Sequence, residues 1–152
     1  MIINGNTTTG SGTLTNHAPT LSSSTPSDDA TGVAVDANIV LTFSEAVDVE
    51  SGNITLKKSS DNSTIESIDV TSGLVTGGGT NQITINPTDD LTSLNGYYLN
   101  IDATAFDDSS GNSFAGITDA TTLSFTSADV DAPTLSSSTP SDDATGVAVD
   151  AN

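Results

Sequence analysis

The sequence predicts an all-β fold, an immunoglobulin-like antiparallel β-sandwich of about seven strands. Three observations lead there. Short runs alternate apolar with polar residues, turn-forming clusters separate those runs, and Ser, Thr, Asp, Asn and Gly dominate what remains. Alternation with a period of two gives a strand one buried and one exposed face, while small polar residues favour turns over helices.

In chain order the predicted strands are 19–25, 38–44, 52–58, 64–70, 81–86, 95–104 and 121–127. The first, PTLSSST, is rich in hydroxyl residues. NIVLTFS at 38–44 places Ile39, Leu41 and Phe43 on one face, the face expected to enter the core. GNITLKK at 52–58 repeats that parity through Ile54 and Leu56 and ends on the only two basic residues, Lys57 and Lys58. TIESIDV follows at 64–70, and NQITIN at 81–86 aligns Ile83 with Ile85. NGYYLNIDAT at 95–104 puts Tyr97 and Tyr98 on opposite faces, and TTLSFTS at 121–127 pairs Leu123 with Phe125. Turns are expected at Pro26-Ser27-Asp28-Asp29, Gly77-Gly78-Gly79, Pro87-Thr88-Asp89-Asp90 and Asp107-Asp108-Ser109-Ser110-Gly111-Asn112.

Residues 18–38 read APTLSSSTPSDDATGVAVDAN, and residues 132–152 read the same at every position. The offset, 132 − 18 = 114 residues, matches one sandwich domain. The chain is therefore expected to be a slice of a tandem array. Its expected organisation is a linker or leader over 1–17, one Ig-like repeat over 18–128, and over 129–152 a linker with the first strands of the next identical repeat. Neighbouring repeats of the same chain are then the expected partners. The second copy carries the strand-forming TLSSST and VAVDAN without the rest of its domain. Residues 132–152 are accordingly expected to add as an edge strand, either to another molecule by strand exchange or back onto their own repeat.

Twenty acidic residues against two basic ones give a net charge of −18, and seventeen of the acids are Asp. Such a field repels nucleic-acid phosphates and anionic lipid, so neither is an expected partner. The chain has no cysteine, which leaves no disulfide framework and no thiolate metal site. No run approaches the roughly 20 apolar residues of a membrane span, so no membrane insertion is expected. Met1-Ile2-Ile3-Asn4-Gly5 lacks the basic and apolar regions of a signal peptide, so any export is expected to be specified elsewhere.

The run from Pro26 through Gly32-Val33-Ala34-Val35-Asp36 to Ile39-Val40-Leu41-Thr42-Phe43-Ser44-Glu45-Ala46-Val47 resembles the opening of bacterial Ig-like domains of the SbsA/S-layer type. Leu91, Gly96-Tyr97-Tyr98-Leu99-Asn100-Ile101 and Phe106-Asp107-Asp108-Ser109-Ser110-Gly111-Asn112 resemble that family's later strand and its Asp-x-x-Gly-Asn segment, in the right order. The resemblance covers nearly all of 18–128. It implies an Ig-like fold and an extracellular setting at the bacterial cell surface, in S-layer proteins or giant secreted adhesins, as a spacer or stalk.

Strands of a sandwich alternate in direction, so each end collects a fixed set of loops. The end at which the chain comes in is expected to gather Glu45, Asp48 and Glu50 with Asp107, Asp108 and Asn112. Asp129 and Asp131 would reach the same end of the downstream repeat. Hard oxygen ligands from three segments suit Ca2+, which takes six to eight oxygens in a forgiving geometry. Glu45, Asp48, Asp107, Asp108, Asn112, Asp129 and Asp131 are therefore the expected calcium ligands. Asp129-Val130-Asp131-Ala132-Pro133 resembles the Asp-rich linker of cadherins, which joins loops of two domains around calcium. The plainer alternative is that these carboxylates are solvated turn residues. Asn16 and His17 stand where paired aspartates precede the second copy, so a site there is expected to be weak. Asp28, Asp29, Asp89 and Asp90 are expected at the opposite end.

Catalysis has little to draw on, and no enzyme is expected. His17 is the only histidine, no cysteine nucleophile exists, and no Gly-x-Ser-x-Gly elbow occurs. Gly77-Gly78-Gly79 lacks the Lys-Ser/Thr of a phosphate cradle. Glycosidase chemistry needs two carboxyls facing across a cleft, with aromatics beneath the sugar, and aromatics are 4% here. Lys58 shares the parity of Ile54 and Leu56, as an inward crosslinking lysine would, although a surface lysine at a strand end is the simpler reading. The expected function is a structural extracellular module, a stalk, spacer or surface-layer unit rigidified by calcium at its linkers. The alternative is an adhesive module for a polysaccharide or another surface ligand.

Overall fold

The computed structural model describes residues 17–149. The leader expected over 1–17, and with it Asn16, lies outside that range except for His17. The described chain forms strands β1 (Leu21–Thr25), β2 (Ala30–Val33), β3 (Ile39–Val49), β4 (Asn53–Lys58) and β5 (Thr64–Asp69). It continues through β6 (Val75–Thr76), β7 (Thr80–Ile85), β8 (Gly96–Ile101), β9 (Phe106–Asp107) and β10 (Ser124–Ser127). No helix occurs among the described residues. One sheet runs β1-β3-β7-β6, with β9 also paired to β3, and the other runs β2-β10-β8-β4-β5. Every pairing is antiparallel except β2 with β10. The fold is the all-β sandwich that the alternation predicts.

Each of the seven predicted runs contains a strand. Three short strands, β2, β6 and β9, were not predicted, because two to four residues are too few for a period of two to show. The run predicted to end at Ser44 continues as β3 to Val49. Glu45 interrupts its apolar parity, and the register with β7 shifts between Thr42 and Val47, so the strand bulges and resumes instead of stopping.

The core lies between the sheets. Ile39, Leu41, Phe43 and Val47 of β3, with Ile83 and Ile85 of β7, face Ile54, Leu56, Ile68, Tyr97, Leu99, Ile101 and Phe125. Phe43 centres an aromatic group, 5.4 Å from Phe106 and 5.2 Å from Phe114 between ring centroids. Tyr97 packs inward against Phe125, at 5.9 Å. Tyr98 takes the outer face, where it is nonetheless buried: Lys57 covers its ring and its hydroxyl donates to Asn62 Oδ1 at 3.0 Å. Gly77 and Gly79 turn β6 into β7 with positive φ, and a Cβ on Gly77 would collide with the carbonyl of Gln82.

β1 and β2 hold the outer positions of their sheets on the same side of the sandwich. The crossover between them is clamped onto β10, where Asp28 Oδ1 accepts the Ser124 N–H (2.9 Å) and the Asp29 N–H donates to the Ser124 carbonyl (2.8 Å). Residues 132–149 form no strand, and all of them are exposed. The last three residues of the 132–152 segment lie outside the described range.

Candidate functional site

The chain comes in beside the middle of β3 and leaves at the other end of the sandwich. On the way in, the Ser44 N–H donates to the Thr20 carbonyl at 2.9 Å and Thr20 N–H to Ser44 Oγ at 3.1 Å. On the way out, the Ala128 N–H donates to the Val33 carbonyl (2.7 Å), and the Val130 N–H donates to Ser93 Oγ (3.1 Å). β3 starts at that outgoing end, where Ile39 pairs with Ile85, and finishes at the incoming end. The incoming end is the proximal end and the outgoing end the distal one.

At the proximal end β3 meets β9. Asp48 and Asp107 are directly opposed in the antiparallel pair, and Val49 is opposed to Phe106. Asp48 was expected in a loop; the continuation of β3 makes it a strand residue, exposed and set over Gly79. Glu45 is half-buried one residue beyond the incoming chain, and Glu50 is exposed just past the strand. Its N–H donates to the Ala105 carbonyl at 3.0 Å, which ties this corner to the segment before β9.

Asp108 behaves differently from its neighbours. It is 5% exposed, and its carboxylate organises the following turn. Oδ1 accepts the N–H groups of Ser110 (2.8 Å) and Asn112 (2.9 Å), and Oδ2 accepts Asn112 Nδ2 at 2.8 Å. Gly111, with a φ of 81°, lets the loop close on it. Asp108 and Asn112 thus spend these groups on each other.

Asp129 and Asp131 stand exposed at the distal end, where Asp129 Oδ1 accepts the Asp131 N–H at 3.1 Å. The seven residues named from the sequence therefore form two sets at opposite ends of one unit. Asp89 and Asp90 lie at the distal end as expected, but Asp28 and Asp29 do not: they serve the clamp onto Ser124. The sequence reading missed Asp36. It joins Val35, Ala37, Asn86, Pro87, Thr88, Asp89 and Asp90 around a distal cleft of about 260 Å³. The signal was the Val-Asp-Ala-Asn that precedes β3, whose Asp and Asn favour a loop although VAVDAN reads as strand-forming.

Among the described residues no three His, Asp or Glu side chains form a group able to hold a metal ion. Three exposed carboxylates are held below the usual Asp value by turn hydrogen bonds. For Asp119 the donors are the Thr122 hydroxyl first, then the Thr121 N–H and hydroxyl. For Asp69 they are the Thr71 hydroxyl and N–H, and for Asp61 the Ser63 hydroxyl and N–H. Lys58 is half-buried at the end of β4, beside Asp61 on the turn, and not in the core.

No curated protein matches the chain. Among solved structures it is similar to CopC from Methylosinus trichosporium OB3b, at 16% identity and a TM-score of 0.55, over 78% of this chain and 100% of that one. It also matches the S-layer protein rSbsC(31-844), at 16% identity and a TM-score of 0.46, over 78% of this chain and 14% of that one. The first likeness supports the sandwich fold alone. Residues 15–127 match the family described as bacterial Ig-like domain, and the chain belongs to that family.

Proposed function

We propose that the chain is a non-enzymatic structural unit of an extracellular bacterial surface protein, a stalk, spacer or surface-layer module of the SbsA type, rigidified by calcium where units join. The observation that carries this reading is the opposition of the proximal and distal ends, combined with the sequence identity of 18–38 and 132–152. A unit that takes the chain in at one end and releases it at the other extends an array lengthwise with each repeat. At a junction, Asp129 and Asp131 leaving one unit would approach Glu45, Asp48 and Asp107 of the next. Carboxylates that are too few within one unit would then share a cation between two.

The adhesive alternative would show clustered exposed aromatics or a flat array of Thr. All six aromatic residues, Phe43, Tyr97, Tyr98, Phe106, Phe114 and Phe125, are buried, which favours the structural reading.

The test is a two-unit chain in which residues 18–131 are repeated, melted in millimolar calcium and in EDTA at equal ionic strength. Calcium should raise the melting temperature and lengthen the particle in solution scattering. Binding to the native state alone stabilises by about 2.7 kcal/mol at a hundredfold excess over Kd. An unchanged melt and an unchanged maximum dimension would remove calcium from the proposal. A two-unit particle no longer than one unit would remove the stalk.

A further inference from the structure

We propose that Leu94 and Val130 form an apolar contact, at the distal end, for the incoming end of the next unit of the same chain. This rests on the reading of the chain as one unit of an array, and the contact needs no cation. Outside the second copy of the repeat, Ile65, Leu94 and Val130 are the large apolar side chains exposed among the described residues. Two of the three share one ledge: Leu94 is 61% exposed and Val130 60%. The Leu94 N–H donates to the Ala128 carbonyl at 3.2 Å, and the Val130 N–H donates to Ser93 Oγ at 3.1 Å. The segments 93–94 and 128–130 therefore lie side by side.

The ledge is held from both sides. Leu94 has a φ of 51°, a left-handed conformation that bulky side chains rarely adopt. Before it, the Thr92 N–H donates to the Tyr97 hydroxyl (2.9 Å), and the Thr92 carbonyl accepts the Ser127 hydroxyl (2.6 Å). After it, the Asn95 N–H donates to Ser127 Oγ and the Ser127 N–H to the Asn95 carbonyl, both at 3.0 Å. Tyr97 and Ser127 are themselves buried. Gly or Asn would meet this backbone with less strain and would suit the water better. The position carries leucine instead, and its side chain gains only where a partner covers it.

Chain continuity names the partner. Residues 132–152 repeat 18–38, so the next unit begins two residues after Val130. Three steps from Val130 reach Pro133, roughly 10 Å away at full extension. Pro133 corresponds to Pro19, which is buried at the incoming end of its unit. That end also exposes Ala18 and Ala46, which flank in sequence the hydrogen-bonded Thr20 and Ser44. A next unit of the same kind thus brings a partly apolar surface within reach of the ledge. The rest of the distal end is acidic, with Asp36, Asp89, Asp90, Asp129 and Asp131 all exposed. The ledge is therefore where two ends of like charge can touch.

The chain has no tryptophan, so Leu94→Trp supplies a single indole reporter. It is placed in the first unit of the two-unit chain and, as the control, in the full chain. Both are measured in EDTA, which keeps the result independent of the calcium reading. A contact screens one side of a surface side chain, so acrylamide should quench the two-unit indole at roughly half the control rate. Val130→Asp, added beside it, should return quenching to the control value. Equal quenching in the two chains would overturn the proposal, as would protection that survives Val130→Asp. Protection that appears only when calcium replaces EDTA would assign the junction to the cation and overturn the contact. Protection of the control that grows with protein concentration would place the partner in another chain, which overturns it too. Leu94→Asn gives a second measure that does not depend on the indole. In the full chain it should melt no lower than the parent, since Asn accepts a positive φ. In the first unit of the two-unit chain it should lower the melt, and an equal response in both chains would overturn the contact.

Discussion

Asp48 and Asp107 oppose each other directly across the β3–β9 pair, while both basic residues of the chain lie on β4 in the other sheet. Like charges in that position weaken a sheet, and the pair persists because its neighbours Val49 and Phe106 pack beneath it. Asp48→Asn should therefore stabilise the chain in EDTA by about 0.2–1 kcal/mol. In the two-unit chain the same substitution should shrink the rise in melting temperature produced by calcium. Urea unfolding in EDTA checks the first part, and a loss of stability there would mean that the two carboxylates do not repel.

Asp108 should answer differently. Its carboxylate receives two backbone N–H groups and the Asn112 side chain inside a nearly closed turn. Asp108→Ala leaves those donors unsatisfied, at about 1–3 kcal/mol. The loss should be the same in calcium and in EDTA, because the carboxylate is engaged within its own loop. A loss confined to calcium, measured by thermal melting in both buffers, would make Asp108 a ligand.

The contrast between these two aspartates shows what the sequence could reveal. Parity along NIVLTFS exposed the inward face because Ile39, Leu41 and Phe43 alternate cleanly, and the same holds for Ile83 with Ile85 and for Leu123 with Phe125. Nothing in the letters Asp107-Asp108 separates a strand residue facing Asp48 from a buried residue that closes a turn. That difference comes from the continuation of β3 past Glu45, a tertiary effect of pairing with β9. Asp28 and Asp29 were misplaced for the same reason: their partner, Ser124, is 96 and 95 residues away in sequence.

Phe43→Ala should cost about 3–5 kcal/mol, since a large buried aromatic leaves a cavity that its neighbours only partly fill. Phe43 is 2% exposed and touches the rings of both Phe106 and Phe114. Those two residues flank the Asp107–Asn112 turn, so the substitution should loosen that turn as well. Hydrogen exchange at the Ser110 and Asn112 amides should quicken more than at Ile68, on the far sheet. A loss below about 1 kcal/mol would mean that the slot beneath β9 collapses without strain.

Acid should undo the turns at Asp61, Asp69 and Asp119. Each carboxylate is held below its ordinary value of 3.8 by hydroxyl and N–H donors that favour the charged form. A folded-state pKa below the unfolded one adds stability that is fully present above the unfolded value and is lost as pH falls through the folded value. For these groups the window therefore opens near 3.8 and extends downward. Acid also relieves the self-repulsion of a chain with a net charge of −18, which works the other way. A paired comparison removes that background. Thr122→Val takes away the largest influence on Asp119. Above about pH 5 the parent should melt higher than the variant by a constant margin, and the margin should narrow as the pH falls toward about 2. Melting curves at fixed ionic strength give the result directly. A margin that stays flat across that range would show that the Thr122 hydroxyl does not favour the ionised form of Asp119.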